Sequence, residues 1–233
     1  MRTWNAIVLL LLLANQAGAL CNLPRPRVVC AEYFQSKAVV VARLAGVSQV
    51  KDSYGDLAGT YYSMTVEQSL RGQVSRLFRI YEANDSGRAT FAWKTGNSYL
   101  LFLRSENPNG SWLIDGCGNS GPSELTKTVL QQIKAIDPAA NRALIQGIVW
   151  DFAIPGPVAG VKIEARGTVE TNTAETQGDG RFEIHVVPGS YKVRAISPGK
   201  TFVPEDISYE HPDNVILESG SCAQIQFVEA TKK

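Results

Sequence analysis

The chain is poor in histidine, with only His185 and His211, and holds two methionines and no surplus of either charge: 23 Lys+Arg stand against 22 Asp+Glu. Two histidines exclude most His-rich zinc sets before any motif is sought. A net charge of +1 leaves no basic excess to neutralise phosphates, so nucleic acid is not an expected partner. No H-E-x-x-H, no phosphate-cradling G-x-x-x-x-G-K and no G-x-S-x-G elbow occurs. None of the four cysteines forms a C-x-x-C pair of the kind that metal and redox sites use. No apolar run approaches the ~20 residues that a membrane-spanning helix needs.

What is present places the chain among exported globular proteins. Of its 233 residues 44% are hydrophobic and 19% charged, which is too apolar for a disordered chain. Residues 1–19 read as a secretory signal peptide: Arg2 is the positive start, Ala6 to Ala14 is wholly apolar, and Ala17-Gly18-Ala19 supplies small residues for cleavage. Cleavage there leaves no transmembrane anchor. Leu20, directly before Cys21, is too large for a lipid-modification motif. The expected location is secreted, extracellular or periplasmic.

Export also decides the cysteines. Cys21, Cys30, Cys117 and Cys222 all survive cleavage, and an even count in an oxidising compartment reads as disulfides with three pairings open. Cys30–Cys117 is the preferred bridge; it closes a loop of roughly ninety residues, worth roughly 4–5 kcal/mol in chain entropy. Cys21–Cys117 is the close rival. Cys222 then either staples the remaining N-terminal cysteine to the second domain or stays free.

Two strand-rich regions follow one another. From Lys37 to Ile114, five apolar runs are separated by Gly/Asp/Asn/Ser clusters: Ala38–Leu44, Thr60–Leu70, Leu77–Tyr81, Tyr99–Leu103 and Trp112–Ile114. Within Thr60–Leu70, Tyr62, Met64 and Val66 share one face, and Tyr61, Ser63, Thr65 and Glu67 the other. A helix is predicted from Ser123 as N-cap, with Leu125, Val129, Leu130, Ile133 and Ile136 as its apolar stripe, ending at Asp137-Pro138. After Ala139-Ala140 the strands shorten and turns become frequent, as in an antiparallel sandwich. There Asp179-Gly180 supplies the positive backbone angle of a hairpin turn, and Phe182 plugs the core beyond it.

Cys30, the Val39–Leu44 strand, Leu70-Arg71-Gly72, Phe91 with Gly96, Tyr99-Leu100-Leu101-Phe102, Trp112 and Cys117-Gly118 resemble the netrin-like domain shared with tissue inhibitors of metalloproteinases. The likeness implies an OB-type five-stranded barrel with a C-terminal helix. Gly147-x-Val149-x-Asp151, Gly160-Val161, Thr176-x-Gly178-Asp179-Gly180-x-Phe182 and Val187-Pro188-Gly189-x-Tyr191-x-Val193 resemble the carboxypeptidase regulatory-like domain. That implies an antiparallel β-sandwich of transthyretin (prealbumin) type, a fold often grouped as carbohydrate-binding-like. The expected organisation is therefore mainly β, with a signal peptide at 1–19, a netrin-like domain at 20–137, a linker at 138–143 and a regulatory-like sandwich at 144–233.

Nothing in either region reads as a catalytic set. Asp115–Pro122 looks like a trypsin-type nucleophile loop, yet both histidines lie downstream and Asn119 replaces the acid, so Ser120 has no base. Asp179, Glu205, Asp206 and Glu210 lack calcium-loop spacing. No cofactor, metal or catalysis is expected. The expected function is a non-catalytic binding or scaffold role toward an extracellular protein or polysaccharide, with Trp93, Tyr81 and Tyr61 as candidate ligand-stacking side chains. The alternative is a metalloendopeptidase inhibitor acting through the segment around Cys21. The likeness to those inhibitors is incomplete there, because Cys21-Asn22-Leu23 lacks their second cysteine. Asn84 and Asn109 stand in glycosylation-type N-x-S triplets.

Overall fold

The computed structural model describes residues 27–85, 87–107, 109–205 and 213–230. The export segment, Cys21 and His211 lie outside them. The described residues are mainly β, with two short helices and three sheets, and group into two compact units.

Unit 1 spans Ser36–Lys127. Its strands are β1 (Ala38–Lys51), β2 (Leu57–Arg71), β3 (Leu77–Ala83), β4 (Ser98–Glu106), β5 (Ser111–Ile114) and β6 (Gly121–Pro122). They follow the order β1-β2-β3-β5-β4-β6, and β1 also pairs with β4, so the first five close into a ring. Alternation explains what the ring buries. Val40, Ala42 and Leu44 of β1, Met64 of β2, Phe78 and Ile80 of β3, Tyr99, Leu101 and Leu103 of β4, and Trp112 of β5 form one core.

A bulge in β1 then changes which residues share that face. Leu44 pairs with Met64 but Gly46 with Ser63, leaving Ala45 as the extra residue. Before it the even-numbered residues of β1 face inward. Beyond it Val47 and Gln49 stand opposite Tyr62 and Thr60 and continue the same face.

The expected helix is shorter than its apolar stripe. α2 spans only Lys127–Lys134 and buries Ile133. Pro122 and Gly121 pair with Tyr99 and Leu100 instead, and the Ser123 N–H donates to the Ser98 carbonyl at 2.9 Å. Ser123 therefore extends the strand ladder rather than capping a helix, and Leu125 is left exposed. The edge of β4 competes successfully for this backbone because its donors and acceptors would otherwise go unpaired.

Unit 2 combines residues Arg27–Gln35 with the chain from Thr128 onward. It holds α1 (Val29–Gln35), which the strand pattern gives no hint of. Its strands are β7 (Ala143–Asp151), β8 (Gly156–Pro157), β9 (Lys162–Gly167), β10 (Thr171–Glu175), β11 (Arg181–Val186), β12 (Gly189–Ile196), β13 (Phe202–Glu205), β14 (Asn214–Leu217) and β15 (Cys222–Glu229). One sheet runs β10-β9-β12-β14; the other runs β11-β7-β15-β13, with β8 on β7. Side chains of both sheets, among them Ile145, Val149, Ile163, Phe182, Tyr191, Val193, Ile225 and Phe227, interdigitate in one core.

The expectation of an antiparallel sandwich is corrected here, since β15 pairs with β7 in parallel over Cys222–Val228. Strands so far apart in sequence have no tight turn to force them antiparallel. At this pair Gly147 is required, because a Cβ there would strike the Ile225 carbonyl. The hairpin turn does follow its sequence signal: Gly180 has φ +73°, and Phe182 is 1% exposed in the core.

Along β15, Ala223, Ile225 and Phe227 enter the sandwich core, so Cys222 and Gln224 point to the opposite face. That face receives α1. The Val28 N–H donates to Gln224 Oε1 at 2.8 Å, and Cys30 is disulfide-bonded to Cys222 with a Cα–Cα distance of 5.9 Å. The expected Cys30–Cys117 bridge is therefore corrected to Cys30–Cys222. The packing of α1 on the last strand, and not proximity in sequence, chooses the partner. Cys117 is itself disulfide-bonded, and among the described residues no cysteine is free.

Across the sandwich, Glu170 joins the β9–β10 turn to the end of β11. It accepts from the Val187 N–H at 2.6 Å and the Tyr191 hydroxyl at 3.2 Å, with Arg142 at 3.9 Å. The Val187 N–H, chiefly, holds the Glu170 carboxyl below the usual carboxylate range; Asn172, Tyr191 and Arg142 add to it against a smaller desolvation effect.

Two outcomes are expected. Peptide mapping without reduction will recover a Cys30–Cys222 cross-linked pair, and Cys30→Ser will lower unfolding stability by up to about 5 kcal/mol, the chain-entropy value for a closed segment this long. A group whose folded pKa is depressed contributes stability that is present at neutral pH and lost as pH falls through its folded pKa. Glu170→Gln will therefore flatten the acid limb of the unfolding midpoint against pH below the ordinary carboxylate range.

Candidate functional site: a polar-aromatic cleft in unit 1

Past the β1 bulge the three strands lay out a small grid on the core-facing side. One row runs Val47–Tyr62–Ile80 across β1, β2 and β3, and the next runs Gln49–Thr60–Glu82. The segment Arg88 to Trp93 passes beside this grid and encloses a cleft of about 380 Å³. Its walls are Val47, Gln49, Thr60, Tyr62, Glu82, Arg88, Ala89, Phe91, Ala92 and Trp93.

Glu82 organises the cleft. Phe78, Ile80 and Glu82 occupy successive inward positions of β3, so the acid takes a place that the alternation reserves for an apolar side chain. It is 8% exposed. A buried carboxylate must be fully hydrogen-bonded to be tolerated. Glu82 Oε1 accepts from the Ala89 N–H at 3.0 Å and Oε2 from the Trp93 indole N–H at 3.1 Å. The Tyr62 ring lines the cleft beside the acid, and the Glu82 charge acts on its hydroxyl.

Burial first, then the negative charge of the neighbouring Glu82, push the Tyr62 hydroxyl far above the ordinary tyrosine range. A hydrogen bond with Thr60 and the positive charge of Arg88 oppose that rise without cancelling it. Tyr62 is thus a neutral donor at any physiological pH.

The aromatic side chains hold one another. Trp93 stacks on Tyr62 with centroids 4.4 Å apart and planes at 23°, while Phe91 and Tyr99 contact Trp93 at 4.9 and 4.7 Å. The Tyr99 hydroxyl accepts the Lys94 N–H at 2.5 Å, which pins the segment from below. Three aromatic neighbours and the bond to Glu82 thus fix the Trp93 ring where it lines the cleft.

The three candidate stacking residues are not brought together. Tyr61 and Tyr81 are directly paired across β2 and β3, on the face opposite Tyr62, with centroids 5.0 Å apart. The Arg79 guanidinium lies 4.9 Å over the Tyr61 ring, and the Asn109 amide donates to the Tyr61 hydroxyl at 2.9 Å. Tyr81 lies against Gly59, where a Cβ would meet its ring at 2.6 Å. Trp93 alone of the three lines the cleft. Sequence reasoning passed over Glu82, Thr60 and Gln49. The signal for Glu82 was the acid at an inward position of an alternating strand.

Elsewhere the tested constellations serve the fold. Ser120 Oγ accepts the Phe102 N–H at 2.9 Å, and His185 is exposed while its carbonyl accepts from Arg142 at 2.6 Å. Among the described residues no group of three or more His, Cys, Asp or Glu could hold a metal ion. Asp206 and Glu210, together with Cys21 and the inhibitor segment around it, fall outside those residues.

No family model and no curated protein matches the chain. The solved structures similar to it include the Bacillus anthracis TIE protein, at TM-score 0.29 and 11% identity over 84% of this chain and 35% of that one. A D312A variant of the major pilin subunit of Bacillus cereus reaches TM-score 0.29 and 10% identity over 86% of this chain and 62% of that one. A C-terminal fragment of the pilus adhesin SpaC from Lactobacillus rhamnosus GG reaches 0.27 and 10% over 83% and 88%. The chain thus spans about a third of the first structure and under two thirds of the second. The netrin-like, inhibitor-like and carboxypeptidase regulatory-like resemblances are corrected here: neither a family model nor a curated relative supports them. The spaced glycines and apolar positions behind those resemblances are demands that any twisted, turn-rich sheet makes.

Replacing Glu82 tests the cleft's construction. Glu82→Ala strands the Trp93 and Ala89 donors and is expected to cost about 2–4 kcal/mol, with a changed Trp emission; Tyr62→Phe leaves both of those bonds in place and is expected to cost less, about 0.5–1.5 kcal/mol. Urea unfolding followed by fluorescence measures both.

Proposed function

We propose that the chain is an exported, non-catalytic binding or scaffold protein that works in the extracellular space or periplasm on an extracellular protein or polysaccharide. Residues 1–19 serve as a cleaved signal, the ring of unit 1 carries the binding site, and the cross-linked sandwich supports it. The Cys30–Cys222 bond supports export, because such bonds persist in oxidising compartments. Among the described residues no helix is long and apolar enough to cross a membrane.

The observation that carries binding over bond-making is the condition of Glu82. A general acid or base needs a proton position open toward a substrate. The cleft's one carboxylate is committed to the Ala89 and Trp93 N–H groups, one on each oxygen. Tyr62 is held protonated, so it cannot serve as a base near neutral pH.

The experiment is a binding and turnover screen of the purified secreted chain against insoluble cellulose, chitin and starch, and against immobilised collagen and fibronectin. The expected result is saturable retention on at least one surface, with the surface chemically unchanged after prolonged incubation. Release of soluble sugar or peptide in proportion to time would overturn the proposal.

A further inference from the structure

We infer that the unit 1 cleft is a binding site for an uncharged, hydroxyl-rich ligand, a pyranose-based oligosaccharide segment. This deepens the proposed function and rests on it. The side chains on the grid decide the ligand's chemistry. Gln49, Thr60 and Tyr62 each carry groups that both donate and accept, or a donor beside an acceptor, and they stand on adjacent strands in two neighbouring rows. A sugar hydroxyl likewise donates and accepts, so a row of hydroxyls along a ring matches such a grid better than a carboxylate, phosphate or ammonium does.

Charge points the same way. The one buried negative group, Glu82, already has its framework donors, and the exposed Arg88 is engaged with the Asn84 side-chain oxygen at 3.1 Å and the Asp85 carbonyl at 3.0 Å. An anion would meet Glu82 across the cleft, and a cation would meet Arg88. A neutral ligand pays neither cost. Beside the polar groups, half-exposed Val47 on the same strand face, with Phe91 and Trp93 of the 88–93 segment, provides apolar lining for the C–H face of a pyranose. The volume of about 380 Å³ falls in the range of small-ligand pockets and is far from the flat area of a protein interface.

The site is also rigid before any ligand arrives. The hydrogen bonds of Glu82 and Tyr99 hold both ends of the 89–94 segment, so binding does not have to order it.

Isothermal titration with cellohexaose, maltohexaose and chitohexaose, with an anionic hyaluronan hexamer beside them, tests the assignment. At least one neutral oligosaccharide is expected to bind saturably, with a change in Trp emission, and the hyaluronan hexamer at least tenfold more weakly. Gln49→Ala and Thr60→Val are both expected to weaken binding tenfold or more at an unchanged unfolding midpoint. Leu77→Ala, on the opposite face of β3, is expected to bind as the parent does. Heat only with the anionic hexamer, or neutral binding that both cleft variants retain in full, would overturn the site assignment. If the chain is retained on a polysaccharide or protein surface and the cleft variants are retained equally, the binding-module proposal stands and the cleft does not. If nothing in either panel binds, both fall.

Discussion

The packing of the first described helix on the last described strand, locked by the bond between Cys30 and Cys222, is the closure on which unit 2 depends. Through that packing Arg27–Gln35 belongs to the same unit as the chain from Thr128 onward. In chain order the ring-forming segment Ser36–Lys127 is therefore an excursion out of unit 2 and back. The parallel pairing of β15 with β7 belongs to the same arrangement: β7 resumes unit 2 after the excursion, and β15 completes it on the flank that α1 covers. A crosslink that spans nearly the whole chain acts on the unfolded state most strongly, where it removes the greatest number of open conformations.

Within the ring a second constraint acts at shorter range. Strand alternation assigns Glu82 to the inside, where a lone carboxylate would be costly. The fold answers by wrapping the 88–94 segment back over it, so that a backbone N–H and an indole N–H both point at the acid. The cleft is a by-product of that solution. Its floor is set by the β1 bulge at Ala45, which turns Val47 and Gln49 onto the inner face, and its wall by the segment that Glu82 recruits. A residue that looks like a catalytic acid in a list of buried carboxylates is here the anchor of a preformed wall.

Much of the strand pattern was legible before any coordinates. The alternation of Tyr62, Met64 and Val66 placed their shared face correctly, and Asp179-Gly180 with Phe182 marked a turn and a core plug that both exist. Local signals of this kind act over a few residues, where steric limits on the backbone are strict. The cleft was less legible. Trp93 was singled out and does line it, but Tyr61 and Tyr81 were grouped with it although strand parity puts them on the other face from Tyr62. Glu82 was readable in principle from its inward phase. Ser123, by contrast, carried a sound capping signal that the open edge of β4 overrode.

By itself, then, the sequence determined the β class, the positions of most strands and the glycine turns, because each depends on neighbours close along the chain. Only the tertiary structure decided the partner of Cys30, the parallel return of β15, the fate of the segment after Gly121, and the meeting of Gln49, Thr60, Tyr62, Glu82 and Trp93 around one cleft. Those depend on which surfaces meet across long separations. The energies that choose among such meetings are sums of burial and hydrogen bonding over many residues, and no short stretch of sequence contains them.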